Sequence, residues 1–355
     1  MDGLELSLMI GKTLFILLAC LQIVPVMNWV ERKGAALIQD RPGPNRVGPL
    51  GLFQPIADVV KFLWKEDPIP TQVNQLLFVL GPFLALLPAC MIVAALPVAD
   101  YAELFGRRVQ LQIADIDVAL LYVLAIGSLG IYGIMFGGWA SNNKFSLMGA
   151  LRSSSQIISY EIPLALAATG AVMVYGTFSL REMVLIQEGT IWGFLPNWGI
   201  FYQPLGFLLF FISAFAETNR LPFDLPETEA ELVAGFHTEY GSMKFATYFM
   251  AEYLNMVTIS GMMTVLYFGG WHLPWLADQT LLGMLGDSRN LLAVVQLATY
   301  FAKVGVFMCL FVWVRWTLPR FRFDQLMNLA WRDLIPLALF NLVLSAIILY
   351  FKEAP

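Results

Sequence analysis

Eight apolar stretches, each near the length needed to cross a lipid bilayer, run through this chain of 355 residues: 8–30, 76–98, 116–136, 157–174, 201–216, 245–268, 291–314 and 334–351. A spanning helix takes about 20 consecutive, mostly apolar residues. Backbone in hydrocarbon must satisfy its own hydrogen bonds, so stretches of this kind are helices. The fifth is the shortest and is expected to extend to either side. Pro25 and Pro163 fall inside spans, where neighbouring groups take up the freed carbonyls. Only 13% of residues are charged and 58% are hydrophobic, and the mean hydropathy is +0.69. So few charges cannot tile a soluble surface. A soluble domain, a disordered chain and a nucleic-acid binder are thereby excluded, and a net charge of −5 argues against polyanionic partners. The expected fold class is an all-α polytopic membrane protein with about eight transmembrane helices, one membrane domain over residues 1–355.

Lysine and arginine set the orientation. Loop one carries Arg32, Lys33, Arg41, Arg46, Lys61 and Lys65; loop three Lys144 and Arg152; loop five Arg220 and Lys244; loop seven Arg315, Arg320, Arg322 and Arg332. The even loops carry only Arg107, Arg108, Arg181 and Arg289. Positive charge collects on the cytoplasmic side, so the odd loops are expected inside and both termini outside. Trp29, Trp139, Trp271, Trp275, Trp313 and Trp331 near span ends fit interfacial belts. The chain opens with Asp2 and Glu5 rather than a basic region, and is expected to be mature protein rather than to begin with a signal peptide.

Metal and nucleotide motifs are absent from the sequence. Cys20, Cys90 and Cys309 lie far apart in apolar stretches, and His237 and His272 are not paired. That spacing encodes no iron–sulfur, zinc or disulfide framework, and no Walker A loop or dinucleotide fingerprint occurs. The expectation is no metal site and no cofactor bound by this chain alone. Both histidines are expected at the interface.

Three features exceed what a plain helical bundle needs. In loop one (residues 31–75), Pro55 opens a helical stretch. There Gln54, Asp58, Lys61 and Lys65 recur at spacings of four, three and four on an otherwise apolar segment. This is the pattern of an amphipathic helix lying along the membrane surface. The polar stripe either faces water or lines a slot through which an amphipathic molecule enters. Loop five (217–244) is acidic. Asp224 followed by Glu227 resembles a capping box, with Gly235 as a stop. Glu227 and Glu231 then share one helix face, a repulsion that favours keeping a proton. A solvated acidic loop is the plain alternative to a coupled carboxylate cluster. The third feature is ionisable residues within spans: Asp117 at the start of the third, Glu161 in the fourth, Glu217 closing the fifth, Glu252 in the sixth and Lys303 in the seventh. Such groups are costly in lipid. Either Lys303 pairs with a glutamate, or the acids form a proton path. Lys12 is expected to snorkel.

These residues resemble those of the respiratory complex I membrane subunit family, the H-type subunits of NADH–quinone oxidoreductases. The likeness covers nearly the whole chain and is most specific at residues 31–33, 41–49, 57–67, 142–144, 159–163, 217–240 and 315–327. The membrane anchors of energy-converting hydrogenases are weaker relatives. The resemblance implies an eight-helix subunit at the junction of the redox arm and the pumping arm. Its expected partners are peripheral-arm quinone-site subunits, small membrane subunits leading to antiporter-like subunits, quinone as substrate, and the lipid bilayer. FMN and iron–sulfur clusters are expected in partner subunits. It also implies that Arg32, Asp58, Lys61, Lys65, Phe223, Glu227 and Glu229 line a quinone chamber. Glu161, Glu217, Glu231 and Glu252 are implied as a proton-coupling chain, joined by Asp117. The family commonly carries Glu at the last of these positions, where this chain has Asp115 and Asp117 with shorter reach. Against a stand-alone cation/proton antiporter stand the missing inverted repeat and the missing pair of broken helices. The expected location is the bacterial inner membrane rather than the mitochondrial one.

Overall fold

The computed structural model describes residues 3–104, 106–191, 193–226 and 232–353. Among these, seven helices are long and apolar enough to span a bilayer. They are α1 (Gly3–Ile38), α3 (Gln75–Val93), α4 (Ala119–Ala140), α5 (Lys144–Tyr175), α9 (Ser242–Tyr267), α11 (Arg289–Thr317), and a last span in which α12 (Phe323–Asn328) continues through a π-helical turn at Leu329–Leu334 into α13 (Ile335–Glu353). The amphipathic segment is α2 (Gln54–Trp64), and short helices α6 (Leu180–Ile186), α7 (Gly199–Tyr202) and α10 (Asp278–Met284) lie in the even loops. The expected all-α membrane architecture holds. Two small antiparallel hairpins are added to it. One pairs β1 (Tyr101–Leu104) with β2 (Arg107–Gln110), the other β3 (Thr190–Ile191) with β4 (Leu195–Pro196).

The fifth span departs from an unbroken helix. α8 (Pro204–Glu217) has only 14 residues, and the chain turns at Gln203 (φ −132°, ψ 57°) between it and α7. Fourteen residues rise about 21 Å, short of the ~30 Å hydrocarbon core. The break is held by buried polar groups. Gln203 Nε2 donates to Ser345 Oγ (2.5 Å) and Asn341 Nδ2 donates to Gln203 Oε1 (2.9 Å). The expected extension of the fifth span is therefore met only across the break at Gln203, whose side chain is held by polar groups of the last span.

Helix ends follow local chemistry. Asn74 accepts from the Leu77 amide and Asn143 from the Phe145 amide, satisfying donors that an isolated N-terminus leaves open. Gly176 at φ 70° ends α5, a left-handed turn that glycine adopts without penalty. The tightest packing joins α3 to α4. A side chain at Gly133 would strike the Ala85 backbone, and one at Gly137 the Tyr248 hydroxyl. Small residues let helix backbones approach where no water is expelled to drive them together. Tyr240 lies over Phe78, with ring centroids 4.1 Å apart and planes within 4°. Its hydroxyl donates to Phe78 O (3.0 Å), and burial pushes the Tyr240 phenol up to about 12, so it remains a donor.

Helices alternate direction, so odd loops gather at one end of the bundle and even loops at the other. Trp271 is buried rather than interfacial, and so are both histidines. His237 packs among Phe236, Phe245 and Phe249. Lys12 does not simply snorkel, since its Nζ donates to Gln112 O (2.9 Å).

Candidate functional site

At the odd-loop end, charges are buried and paired. Glu31, 8% exposed on α1, takes an ion pair from Arg315 at the end of α11 and lies 3.6 Å from Arg220 of loop five. Tyr253 of α9 donates its hydroxyl to Glu31 Oε2 (2.6 Å), and the Arg220 guanidinium sits 4.3 Å over the Tyr253 ring. Next to this group Arg320 bonds Asp224 at 2.9 Å. Gln156 Nε2 of α5 donates to the carbonyls of Ala216 (2.8 Å) and Phe223 (2.7 Å), joining the end of α8 to loop five. A charge withdrawn from water must be paired, and here Arg220 ties loop five to Glu31 of α1 while Asp224 ties it to Arg320 beyond α11. The sequence marked these segments but not their partnership, because Glu31 and Arg315 stand at opposite ends of the chain.

Loop one forms the outer wall. Asp58 of α2 meets Arg32 of α1 at 2.6 Å and accepts from Gln54 (3.2 Å). Ser242 Oγ donates to Phe62 O (2.7 Å), and Lys244 pairs with Asp67 at 2.8 Å. These contacts fasten α2 across α1 and α9. The polar stripe divides. Gln54 and Asp58 turn onto α1, while Lys61 and Lys65 are exposed, Lys65 at the helix's C-terminal cap. Ile56, Val59, Val60, Leu63 and Trp64 are exposed as well, Trp64 at 88%. Phe223 is buried, with its ring 5.4 Å from Tyr160 and 5.5 Å from Phe321. It supports the loop-five wall from behind.

In mid-bundle, three of the predicted acids come together. Glu161, Glu217, Asn255 and Thr258 line a cavity of about 50 Å³. An adjoining cavity of about 30 Å³ is lined by Glu217, Glu252, Asn255 and Asn219. Glu217 and Asn255 are in both walls, as are Ala85, Gly127 and Gly130. A cavity needs about 10–15 Å³ of such space to hold a water molecule, so each has room for water. Ser128 Oγ donates to Glu161. Glu217 Oε2 is shut off from solvent and makes no hydrogen bond among the described residues. The glycines on α4 open the space beside the carboxylates. A side-chain carbon at Gly127 would stand 3.9 Å from Glu217 Oε1.

Other predicted residues stand elsewhere. Asp117 is exposed and precedes α4, which begins at Ala119. The expectation of an acid inside the third span is corrected, because the chain at 116–118 is still a turn. Lys303 pairs with no glutamate among the described residues. Its Nζ donates to the carbonyls of Phe268 (2.7 Å), Gly270 (2.9 Å) and His272 (2.6 Å). Glu227, Glu229 and Glu231 lie outside the described residues.

Comparison with known proteins follows the same lines. The family model described as NADH dehydrogenase matches residues 11–346. The chain is 50% identical to an H-type subunit of the NADH-quinone oxidoreductase of Cytophaga hutchinsonii, covering 93% of this chain and 94% of that one. It is 45% identical to the H-type subunit of Bdellovibrio bacteriovorus, covering 99% and 98%. It is 43% identical to an H-type subunit of Geobacter metallireducens, covering 99% of each.

Proposed function

The chain belongs to the NADH dehydrogenase family, and on that premise we propose that it is a membrane subunit of a proton-translocating NADH–quinone oxidoreductase in a bacterial inner membrane. Its odd loops face the cytoplasm, where peripheral-arm subunits dock. Small membrane subunits join it to the antiporter-like pumps. The sequence offers no Cys/His framework for a redox centre, so FMN and the iron–sulfur clusters belong to partner subunits and the contribution of this chain is electrostatic.

In this reading quinone enters from the bilayer beneath α2. Arg32, Asp58, Lys61 and Lys65 form one wall of its chamber, and Phe223, Glu227 and Glu229 the other. Its reduction changes the charge at loop five. Glu231 and Glu217 respond, and the change spreads to Glu161 and Glu252, with Asp117 outside this inner group. One observation carries the proposal: Glu161, Glu217 and Glu252 share adjoining cavities with room for water. Two unit charges about 8 Å apart at an effective dielectric constant near 20 interact by roughly 2 kcal/mol. Moving one charge against 100 mV takes about 2.3 kcal/mol. One change of charge at the chamber is thus of the size that biases one proton step.

Two measurements test this. Mass spectrometry of the gently purified chain should find peripheral-arm subunits with flavin and iron–sulfur absorbance; a chain that runs alone does not belong to such an enzyme. Glu217→Gln in the assembled enzyme should slow quinone reduction and proton pumping together. Unchanged rates for both would remove Glu217 from the path.

A further inference from the structure

At the even-loop end, far from these carboxylates, a second group of side chains has no part in the reading above. Glu188 follows α6, His272 lies in the turn after α9, and Asp278 opens α10. One ligand atom from each falls within 4.8 Å of the other two. We propose that Glu188, His272 and Asp278 hold a single divalent transition-metal ion of the zinc class.

The histidine carries the argument. His272 is only 2% exposed, yet neither ring nitrogen makes a hydrogen bond among the described residues. A buried imidazole ordinarily has a partner for each nitrogen. Its Nδ1 is 3.3 Å from Asp278 Oδ2, long for a charge-assisted hydrogen bond. In a tetrahedral site with bonds of 2.0–2.1 Å, ligand atoms stand about 3.3 Å apart. Asp278 Oδ1 is likewise buried without a hydrogen bond.

The supporting contacts are those a metal site uses to aim its ligands. Gln296 Nε2 donates to Asp278 Oδ2 (2.8 Å), and the Asp278 amide donates to Glu188 Oε1 (3.0 Å). Lys303 Nζ holds the His272 carbonyl (2.6 Å). An ammonium has three protons, and Lys303 gives all three to carbonyls, so it does not take the ion's place between the carboxylates. Two carboxylates and a neutral imidazole balance a double positive charge. The imidazole selects a transition ion over magnesium or calcium, which take oxygen ligands. Three protein ligands leave one position for water. Sequence spacing could not reveal this set, because Glu188 comes from loop four and His272 and Asp278 from loop six.

The test counts metal on the full chain in its native membrane assembly, and does not depend on any role in quinone chemistry. After chelator treatment, samples are dialysed against low-micromolar Zn2+ and zinc per chain is measured by mass spectrometry. Wild type should hold one ion more than His272→Gln. Glu188→Gln, at a less buried position, should bind that ion at least tenfold more weakly, and Gln296→Ala, which removes no ligand, about tenfold more weakly. Co2+ should compete for it and Mg2+ should not. Equal zinc counts and affinities in wild type, His272→Gln and Glu188→Gln would leave only an ordinary imidazole–carboxylate pair, and so would equal competition by Mg2+. Should His272→Gln fail to assemble, Glu188→Gln alone decides.

Discussion

The odd-loop end and the mid-bundle cavities both bury acids, and they treat them in opposite ways. Glu31 has two arginines and a tyrosine hydroxyl around it. Glu217 has an oxygen without a hydrogen bond, beside space for water and within reach of two further acids. A fully paired charge is fixed in its state, and breaking it costs stability. An acid beside other acids in a small wet space can change state with its neighbours' charge. The first arrangement builds a frame, and the second can carry a signal.

Mutations should separate the two regions. The largest effect is expected from Glu31→Ala, which takes the carboxylate from Arg315 and from beside Arg220. Loss of one partner of a buried pair costs about 3–5 kcal/mol, so assembled complex should fall severely when quantified from native gels. Normal amounts would mean that this end does not frame the fold. Glu217→Gln should leave assembly intact and lower quinone reduction and pumping together by about tenfold, equivalent to ~1.4 kcal/mol in the barrier. Lost assembly with normal turnover per complex would reverse the contrast. Ser128→Ala removes a hydrogen bond to Glu161. Its loss should lower pumping several-fold at constant complex content; unchanged pumping would show that this contact has no part in the path. Asp58→Ala should have the smallest effect on the fold. The Arg32–Asp58 pair is partly exposed, and such pairs contribute under about 1 kcal/mol. Turnover of short-chain quinones should nevertheless drop several-fold at constant complex content. Unaltered turnover would return the polar stripe to plain solvation.

How far the sequence could reach follows from the range of the interactions. Spans are legible because bilayer thickness fixes their length, and α2 because its polar residues repeat on one face. The acids at 161, 217 and 252 are legible because charge in hydrocarbon is rare enough to stand out. Their meeting is not, since it depends on glycines of α4 that look like ordinary helix breakers in a string of letters. Hidden for the same reason are the Glu31–Arg315 pair and the polar group of Gln203, Asn341 and Ser345. Pro204 restricts the residue before it, but prolines inside spans occur in unbroken helices too, so the letters alone do not decide the break at Gln203. It exists because distant side chains are placed to accept it.

The shortness of α8 has one more consequence. That helix ends at Glu217, and Gln156 joins its Ala216 carbonyl to Phe223 of loop five. Glu217 therefore shares a cavity wall with Thr218, Asn219 and Phe236 of loop five. Whatever shape loop five takes decides how easily a proton or a field arrives there, so a change made at the rim is felt at depth without any helix having to slide.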